Sequence, residues 1–413
     1  MKKIIALLLA LVFVLSLCSC AKKESAAKED GAKSASDVKI GVVLVGDENE
    51  GYSFAHIDGI RKAAAANGLT EDNLVWFYSI PENSTCYDKC VDCVEQGCKL
   101  VITNSYGHQD FCKQAAEEYP EVQFIAMTGD TAMKSGLPNF SNAFNHTYES
   151  RYVSGVVAGM KLAELDAAGQ IPADGYDADG NIKVGYVGAY PYAEVISGYT
   201  AFFLGIKSVV ENVVMDVQYT NAWFNIQEEA KAAEALMSRG CVIIGQHADS
   251  TGAPQAVQTA KDNGAVVYSV GYNIDMLQAA PTAALTSSTN DWSVFYTYAF
   301  AALLKGEKIA TDWSEGYETG AVAITALGPE VAPRTAEKVA EVEAAIKDGK
   351  LHVFDVNTFT VGGETVTSAL TFDSDGDWTN DTNEGIVDGY YHESEYISAP
   401  SFDLRIDGIT ELN

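Results

Sequence analysis

The sequence predicts an α/β protein made of two similar lobes, each a parallel sheet covered by helices. Three observations lead to this fold class. Short runs rich in β-branched residues alternate with helical patterns from residue 38 onward. A stretch rich in Gly, Pro and Asp at residues 166–181 interrupts the alternation, which then starts again. Strands that alternate with helices are typical of a doubly wound parallel sheet, so the restart indicates two such sheets.

The first 37 residues precede this alternation and differ from it in composition. Lys2 and Lys3 are followed by an apolar segment at residues 4–17, which is short for a membrane span and typical of a signal sequence. The segment closes with Leu-Cys-Ser-Cys, so we expect Cys20 to be lipidated; an ordinary signal peptide or an uncleaved anchor is the alternative. Residues 1–20 are therefore interpreted as a lipoprotein signal peptide and residues 21–37, which lack large apolar side chains, as a flexible tether.

The signal peptide and the lipidated Cys20 predict that the protein is exported and anchored by its lipid at the outer face of the cytoplasmic membrane.

The formal net charge of -30 opposes binding to nucleic acid or to anionic lipid surfaces. Acidic residues are spread along the whole chain, so the charge alone does not indicate a cationic ligand. We expect a monomeric body after the tether, long enough for two domains.

Four cysteines have the spacing C-x3-C-x2-C-x4-C. Cys86, Cys90 and Cys93 lie at helical spacing on one face of a predicted helix, and Cys98 opens the next strand. A disulfide and a metal site are the alternatives. Because free cysteine behaves as a small buried hydrophobe, the pattern favours core packing. No cofactor is expected.

The first predicted strand, residues 38–45, ends in a loop that we expect to contact a ligand. Its β-branched run indicates a strand buried on both faces, and open α/β sheets bind ligands at the carboxyl ends of their strands. The loop has neither G-x-G-x-x-G nor a P-loop lysine. It offers Asp47, Tyr52, Phe54 and His56, which are hydrogen-bonding groups beside apolar rings and suit a small planar ligand.

The other predicted strands also end in loops with polar or aromatic side chains. Each such residue could be a helix cap or an ordinary loop residue, but they recur at the same structural position. If the lobes face each other through their strand ends, these residues share one cleft with the first loop. The further candidate ligand-binding residues are Asn104, Tyr106, Asp130, Asn145, Tyr190, Trp223, Asp249, Asn273 and Asp275.

Two further β-type segments are predicted at residues 320–327 and 351–359, followed by an acidic run. That run has calcium-loop spacing, but Trp378 stands where the loop needs glycine, and no helices flank it. An acidic β-turn is therefore favoured over a calcium site. The candidate calcium ligands would be Asp373, Asp375, Asp377, Asp381 and Glu384.

Several motifs occur in a distinctive order between residue 38 and about residue 304. They read GVVLVGD…SFAHIDGIRKA, SRYVSGVVAGMKL, KVGYVGAYPYAEVISGYTAFFLGIKS, NAWFNIQEEAKAAEALMSRGCVIIGQHADSTG and VGYNIDM…P…ALTSS. In combination they resemble the basic membrane protein (Bmp) family, which includes the purine nucleoside receptor lipoproteins. The resemblance implies a type I periplasmic binding protein, with two Rossmann-like lobes, three crossover strands and the ligand cleft between the lobes. The N-terminal lobe would hold residues 38–144 and 288–317, and the C-terminal lobe residues 145–287 and 318–413.

The resemblance also implies a ligand and partners. Phe54 would stack on a purine with Asp47 beside it, Trp223 would approach from the second lobe, and Asp249 and Asp275 would hold polar edges or ribose hydroxyls. The ligand would be a purine nucleoside or nucleobase, passed to the permease subunits of an ABC importer. The chain has Ala55-His56 where the family often has Asn, and no lysine in SSTNDWS. A free nucleobase or another flat heterocycle, riboflavin included, is therefore an alternative.

Two other function classes were weighed against this prediction. An enzyme would need a nucleophile beside a base or clustered metal ligands, but there is no G-x-S-x-G and the six histidines are scattered. We therefore predict a binding protein that is not an enzyme. A ligand-sensing or host-interacting surface lipoprotein would have the same fold and is the alternative role.

Overall fold

The computed structural model describes residues 38–373 and 379–413. The predicted signal peptide, the tether and Cys20 lie outside the described residues, as do the candidate calcium ligands Asp375 and Asp377. Within the described ranges, no helix is both long enough and apolar enough to cross a membrane.

The first sheet has six parallel strands. They are β1 (Ile40–Val43), β2 (Leu74–Phe77), β3 (Leu100–Thr103), β4 (Gln123–Met127), β5 (Phe140–Ala143) and β11 (Asp312–Trp313). Their order across the sheet is β11-β5-β4-β3-β1-β2. The connecting helices are α1 (Gly51–Ala66), α2 (Ser84–Glu95), α3 (Gln109–Glu118) and α4 (Ala132–Ser135). Val42 and Val43 are both fully buried but belong to different hydrophobic clusters, because both faces of the sheet are covered.

The second sheet has seven strands and repeats this plan. They are β6 (Ile182–Gly188), β7 (Val213–Tyr219), β8 (Ile243–Gln246), β9 (Tyr268–Tyr272), β10 (Ala284–Asn290), β12 (Val322–Ile324) and β17 (Ile409–Glu411). Their order is β12-β10-β9-β8-β6-β7-β17, with only β12 antiparallel to its neighbour. The helices of this half are α5 (Thr147–Ala167), α6 (Ala193–Lys207), α7 (Ile226–Ser238) and α8 (Gly252–Asp262). The orders β2-β1-β3-β4-β5 and β7-β6-β8-β9-β10 are equivalent, so the two lobes share one topology.

The chain passes between the sheets three times. It leaves β5 for α5, returns after β10 to α9 (Ser293–Lys305), which packs on α1, and passes finally from β11 to β12. This arrangement confirms the predicted fold class of two Rossmann-like lobes with three crossovers.

Helices α5 and α6 pack backbone against backbone. A Cβ atom on Gly155 would lie 2.1 Å from the carbonyl oxygen of Phe202, and one on Gly205 would lie 2.1 Å from that of Tyr152. Any side chain at either position would force the helices apart. The two glycines are therefore what allows the backbones of α5 and α6 to touch.

The cysteines of α2 form part of a hydrophobic core. Cys86, Cys90 and Cys93 are free and fully buried, and they pack with Cys98 and Cys112. This confirms the core-packing interpretation of their spacing.

The chain after β12 packs mainly on the second lobe. It forms α10 (Thr335–Lys347) and two hairpins, β13 (Leu370–Phe372) with β14 (Thr382–Glu384) and β15 (Ile386–Val387) with β16 (Tyr390–Tyr391). The strand predicted at residues 351–359 is wrong: this stretch is irregular, and Phe354 and Phe359 enter the core without a strand. The apolar pattern of this stretch indicates buried side chains and not a strand conformation.

The acidic run near the end of the chain includes described and undescribed residues. Asp373 pairs with Lys134 at 3.5 Å, and Glu384 accepts hydrogen bonds from the backbone nitrogens of Ala369 and Ile386, both at 2.9 Å. Among the described residues, no group of three or more His, Cys, Asp or Glu side chains is arranged to hold a metal ion. Glu384 and Asp373 are thus engaged with protein groups.

Candidate ligand-binding site

A cavity of about 540 Å³ lies between the lobes at the carboxyl ends of the strands. The loops after β1 and β3 line it from the first lobe, and the loops after β6 and β8 line it from the second. In each sheet these two strands flank the point where the strand order reverses. Open α/β sheets bind ligands at this point, so both lobes present their binding edge to the same space.

Aromatic side chains from both lobes form much of the cavity wall. The rings of Tyr190 and Trp223, from the second lobe, have centroids 5.2 Å apart and are inclined at 64°. Tyr52 and Tyr106 line the cavity from the first lobe, and Tyr272 lines it from the second. Such ring faces desolvate and hold a flat heterocycle.

Tyr52, rather than Phe54, is the aromatic residue that α1 places in the cavity. The Tyr52 hydroxyl donates to the backbone oxygen of Asn104 and lies 3.3 Å from the hydroxyl oxygen of Thr128. Phe54 is 45% exposed and does not line the cavity. Two positions along a helix differ by about 200° in direction, so both rings cannot face the ligand. The structure therefore corrects the expectation that Phe54 stacks on the ligand.

Five carboxylates line the cavity, whereas no Lys or Arg side chain of the described chain does. They are Asp47, Glu50, Glu82, Glu194 and Asp249. Glu50 caps α1 by accepting from the backbone nitrogens of Tyr52 at 2.9 Å and Ser53 at 2.8 Å. Burial, and then the negative charge of Glu50, raise the pKa of Asp249; burial also raises the pKa of Glu50. The cavity wall therefore offers carboxyl oxygens as hydrogen-bond acceptors, and the crowding of these acids disfavours further negative charge.

A buried arginine lies behind this acidic wall. The guanidinium of Arg151 lies 3.6 Å from the centroid of the Tyr272 ring and donates to the Gln246 backbone oxygen at 2.5 Å. Burial, and then the charge of Arg151, lower the pKa of His247 to about 4. His247 is therefore neutral at pH 7, and its Nε2 lies 3.1 Å from Glu194. As an N–H donor, it fixes the direction of the Glu194 carboxylate.

Two predicted residues support the cavity from behind. Asn104 accepts from the Val45 backbone nitrogen at 2.8 Å and donates to the Ser53 hydroxyl at 3.1 Å, which holds the loop after β1. Asn273 donates to the Asp249 carboxylate at 2.6 Å. Both side chains are buried. Their amides position the groups that line the cavity.

Four further predicted ligand-binding residues do not line the cavity, and two of them, His56 and Asp275, make local contacts instead. His56 is fully buried, with Nδ1 2.6 Å from the Tyr296 hydroxyl and its ring stacked on Trp292, so it joins α1 to α9. Asp275 is exposed and caps a short turn by accepting from the Leu277 backbone nitrogen at 2.8 Å. The structure corrects both assignments, because each side chain is engaged in local structure.

Asn145 lies at the crossovers instead of in the cavity. Its amide nitrogen donates to the Asn290 side chain at 3.1 Å and to the Ala321 backbone oxygen at 3.0 Å. Each of these three residues belongs to a different crossover, so Asn145 ties the three together. Asp130, the fourth, lines a neighbouring cavity, where the Tyr106 hydroxyl approaches it at 3.4 Å.

Of the residues that the sequence indicated, the cavity therefore contains Asp47, Tyr52, Tyr106, Tyr190, Trp223 and Asp249. Sequence reasoning missed Glu50, Glu82, Glu194, Thr128, Phe224 and Tyr272. Tyr272 ends β9 and Glu194 lies in the first turn of α6, so strand-end position could have found both. Glu82, which accepts from the Ser105 hydroxyl at 2.5 Å, carried no such signal.

Comparisons with known proteins agree with this geometry. Residues 38–355 match a family model described as Bmp, ABC transporter substrate-binding protein PnrA-like. The chain is 30% identical over 320 residues to a purine-binding protein of Brucella abortus, covering 77% of this chain and 83% of that one. It is 31% identical over 260 residues to a putative ABC transporter glucose-binding protein of Haloferax volcanii, covering 63% and 60%. A solved ABC transporter solute-binding protein from Conexibacter woesei superposes with a TM-score of 0.58 at 19% identity over 76% of this chain and 98% of that one, which shows the fold.

Proposed function

The chain belongs to the Bmp family of ABC transporter substrate-binding proteins, and from this premise we propose that it binds a purine nucleoside or nucleobase between its lobes. The family consists of binding proteins, so the chain is not an enzyme, as its sequence predicted. In the proposed role it delivers the ligand to a membrane permease. The Brucella abortus relative, named as a purine-binding protein, supports this ligand class.

The observation that carries the proposal is the pairing of ring faces with carboxylates in one cavity. Trp223 and Tyr190 from the second lobe and Tyr52 and Tyr106 from the first line one space together with Asp249. A purine has flat faces for the rings and N–H groups at its edge for carboxylate acceptors. Apolar stacking supplies affinity, and the acceptors fix the orientation of the base.

The charged residues of the cavity further limit the class of ligand that it can accept. Its carboxylates repel an anion, and no cationic side chain of the described residues lines it. Bringing a phosphate beside Glu194 or Asp249 would place like charges in a poorly solvated space. The proposed ligand is therefore neutral or positively charged, which favours nucleosides and bases over nucleotides.

The proposal includes the arrangement of the chain at the membrane. Residues 38–144 with 288–317 would move as one body and residues 145–287 with 318–413 as the other, with Asn145 at the crossovers on which they turn. The sequence before residue 38 supports export and lipid attachment through Cys20, and the exported protein is proposed to be a monomer. A surface sensor of the same fold is the alternative role, separated by a transport assay with the permease.

The test is a thermal-shift and calorimetric screen of the purified mature chain. The panel holds adenosine, guanosine, inosine, adenine, hypoxanthine, riboflavin and glucose, the last because of the Haloferax volcanii relative. A ligand at about 100 times its dissociation constant stabilises the folded state by about 2.7 kcal/mol, so a true ligand gives a clear rise in Tm. A shift with riboflavin or glucose alone would replace the purine proposal while leaving the family role intact.

A further inference from the structure

The last part of the chain builds a second cavity beside the first. The family match ends at residue 355, and we call residues 356–413 the C-terminal segment. The second cavity has a volume of about 280 Å³ and is lined by both lobes and by this segment, which contributes Ile397, Ala399, Pro400 and Ser401. One wall of this space is therefore made by sequence outside the family match.

The C-terminal segment is fixed to both lobes. The fully buried Glu393 of the segment accepts from the Ser197 hydroxyl of the second lobe at 2.5 Å. Toward the first lobe, Ser398 donates its backbone N–H and its hydroxyl to the Asp312 carboxylate at 2.6 and 2.5 Å. The wall that the segment provides is thus anchored on either side of the cleft.

The second cavity continues the first one. Tyr106, Thr128 and Glu194 line both, so the two spaces adjoin along these side chains. The rings of Tyr106, from the first lobe, and Tyr192, from the second, have centroids 6.1 Å apart at this junction. A ligand held against Tyr106 in the first cavity therefore faces the second.

The two cavities differ in their walls. Both contain aromatic rings, but the second also has aliphatic groups such as Ile397 and Pro400 and charged groups of both signs. Its two cations, Lys134 and Arg405, pair with Asp373 at 3.5 Å and with Glu411 at 3.0 Å. Burial raises the pKa of Asp130. Aliphatic groups beside carboxylates, hydroxyls and paired cations suit a sugar or a similar substituent, which has C–H faces and polar edges.

We propose that the second cavity is a subsite for a polar substituent of the ligand, so that this protein takes an elongated molecule with a flat heterocycle in the first cavity. The inference rests on the proposed function and refines it. It makes the C-terminal segment a determinant of specificity. A purine that carries a sugar, or a sugar extended at its 5′ position, would use both spaces.

The test compares adenine, adenosine and 5′-methylthioadenosine by calorimetry on wild type and two variants. Ala399→Trp fills the second cavity, and Asp130→Asn alters its polar wall without adding bulk. Val387→Trp is the matched control, because Val387 is an exposed residue of the same segment that does not line the cavity. Melting temperatures establish that each variant is folded.

We expect Ala399→Trp to weaken binding of the longest ligand that wild type accepts at least 10-fold, with adenine changed less than 2-fold and Val387→Trp unchanged. Asp130→Asn should also weaken binding of adenosine and 5′-methylthioadenosine, but not binding of adenine. Equal losses for all three ligands, or none, would overturn the subsite while leaving purine binding in place. If the wild type binds no purine, the proposed function is overturned, and so is the proposal that the second cavity takes a substituent of a purine.

Discussion

Thr128 and Asn273 occupy equivalent positions in the two lobes and share a left-handed backbone, with φ values of 56° and 61°. Each is the first residue after the fourth strand of its lobe, β4 or β9. Ser79 and Asn221, with φ values of 55° and 54°, are likewise each the second residue after β2 or β7. Backbone strain of this kind costs on the order of 1–3 kcal/mol per residue and is concentrated at functional sites. The same local conformation thus recurs at the ligand end of both sheets.

Substitution of Asn273 separates backbone strain from its hydrogen bond. Asn273→Gly keeps the left-handed conformation but removes the donor to Asp249, so we expect the free energy of unfolding to fall by about 1–2 kcal/mol. Asn273→Ala loses the donor and also strains the backbone, which should cost about 1 kcal/mol more. Urea unfolding measures both values. Equal stability of the two variants would show that the backbone at this position carries no strain.

Tyr52→Ala and Trp223→Ala should weaken ligand binding, whereas Phe54→Ala should not. Each of the first two removes a ring from the cavity, with an expected loss of at least about 10-fold in affinity for the ligand that the screen identifies. Phe54 lies on the same helix as Tyr52 but outside the cavity, so it is a matched control for truncating an aromatic side chain of α1. Titration calorimetry measures the affinity of each of the three variants for the ligand. A large effect at Phe54 with none at Tyr52 would restore the interpretation based on sequence alone.

Adding a phosphate to the ligand should abolish binding. Adenosine monophosphate brings negative charge beside five carboxylates, and the two cations of the second cavity, Lys134 and Arg405, already pair with Asp373 and Glu411. We therefore expect its affinity to be at least about 100-fold below that of adenosine. The difference should narrow as salt concentration rises, because added ions screen the repulsion. Competitive calorimetry at two ionic strengths measures both effects. Comparable affinities would contradict the charge selection proposed for this site.

Glu229 should make the protein more stable at mildly acidic pH than at neutral pH. Burial raises its pKa to about 7 from 4.5, although it accepts from the backbone nitrogens of Asn225 and Ser250. Between these values the folded state holds a proton that the unfolded state has lost, so the free energy of unfolding falls as pH rises through this window and is level above it. The total is at most about 3 kcal/mol.

Glu229→Gln tests this assignment. The variant has no proton to lose, so the dependence of its unfolding free energy on pH should be shallower by about one proton between about pH 5 and 7. Urea unfolding at several pH values gives both slopes. If wild type and variant have the same slope, Glu229 does not titrate in this window.

Most of the fold could be predicted because its signals are local. The β-branched run of β1 and the glycines of α5 each report burial or close contact at their own positions. The choice between Tyr52 and Phe54 was different. The direction of α1 is set by contacts such as His56 with Tyr296, which are 240 positions apart in the chain. A helical pattern says that one face is buried but not which neighbour covers it.

The candidate site, like the fold, could be predicted only in part from the sequence. Strand-end position indicated Trp223 and Asp249, which line the cavity, because parallel strands bring their carboxyl ends to one edge. It could not separate residues that contact the ligand space from those, such as Asn145, that hold the crossovers, since both kinds are polar and follow a strand. Only the pairing of Asn145 with Asn290 and Ala321 distinguishes them.

The glycine contact between α5 and α6 has a mechanical consequence. Helix α5 begins at the first crossover and has 21 residues, so it extends about 30 Å, while the first turn of α6 carries Glu194. Because no side chains separate Gly155 and Gly205, the two backbones are in direct contact, and we expect α5 and α6 to move together in the proposed rotation at the crossovers. That rotation would then carry Glu194 with α5, which links the carboxylates at the ligand to the far end of a helix about 30 Å long.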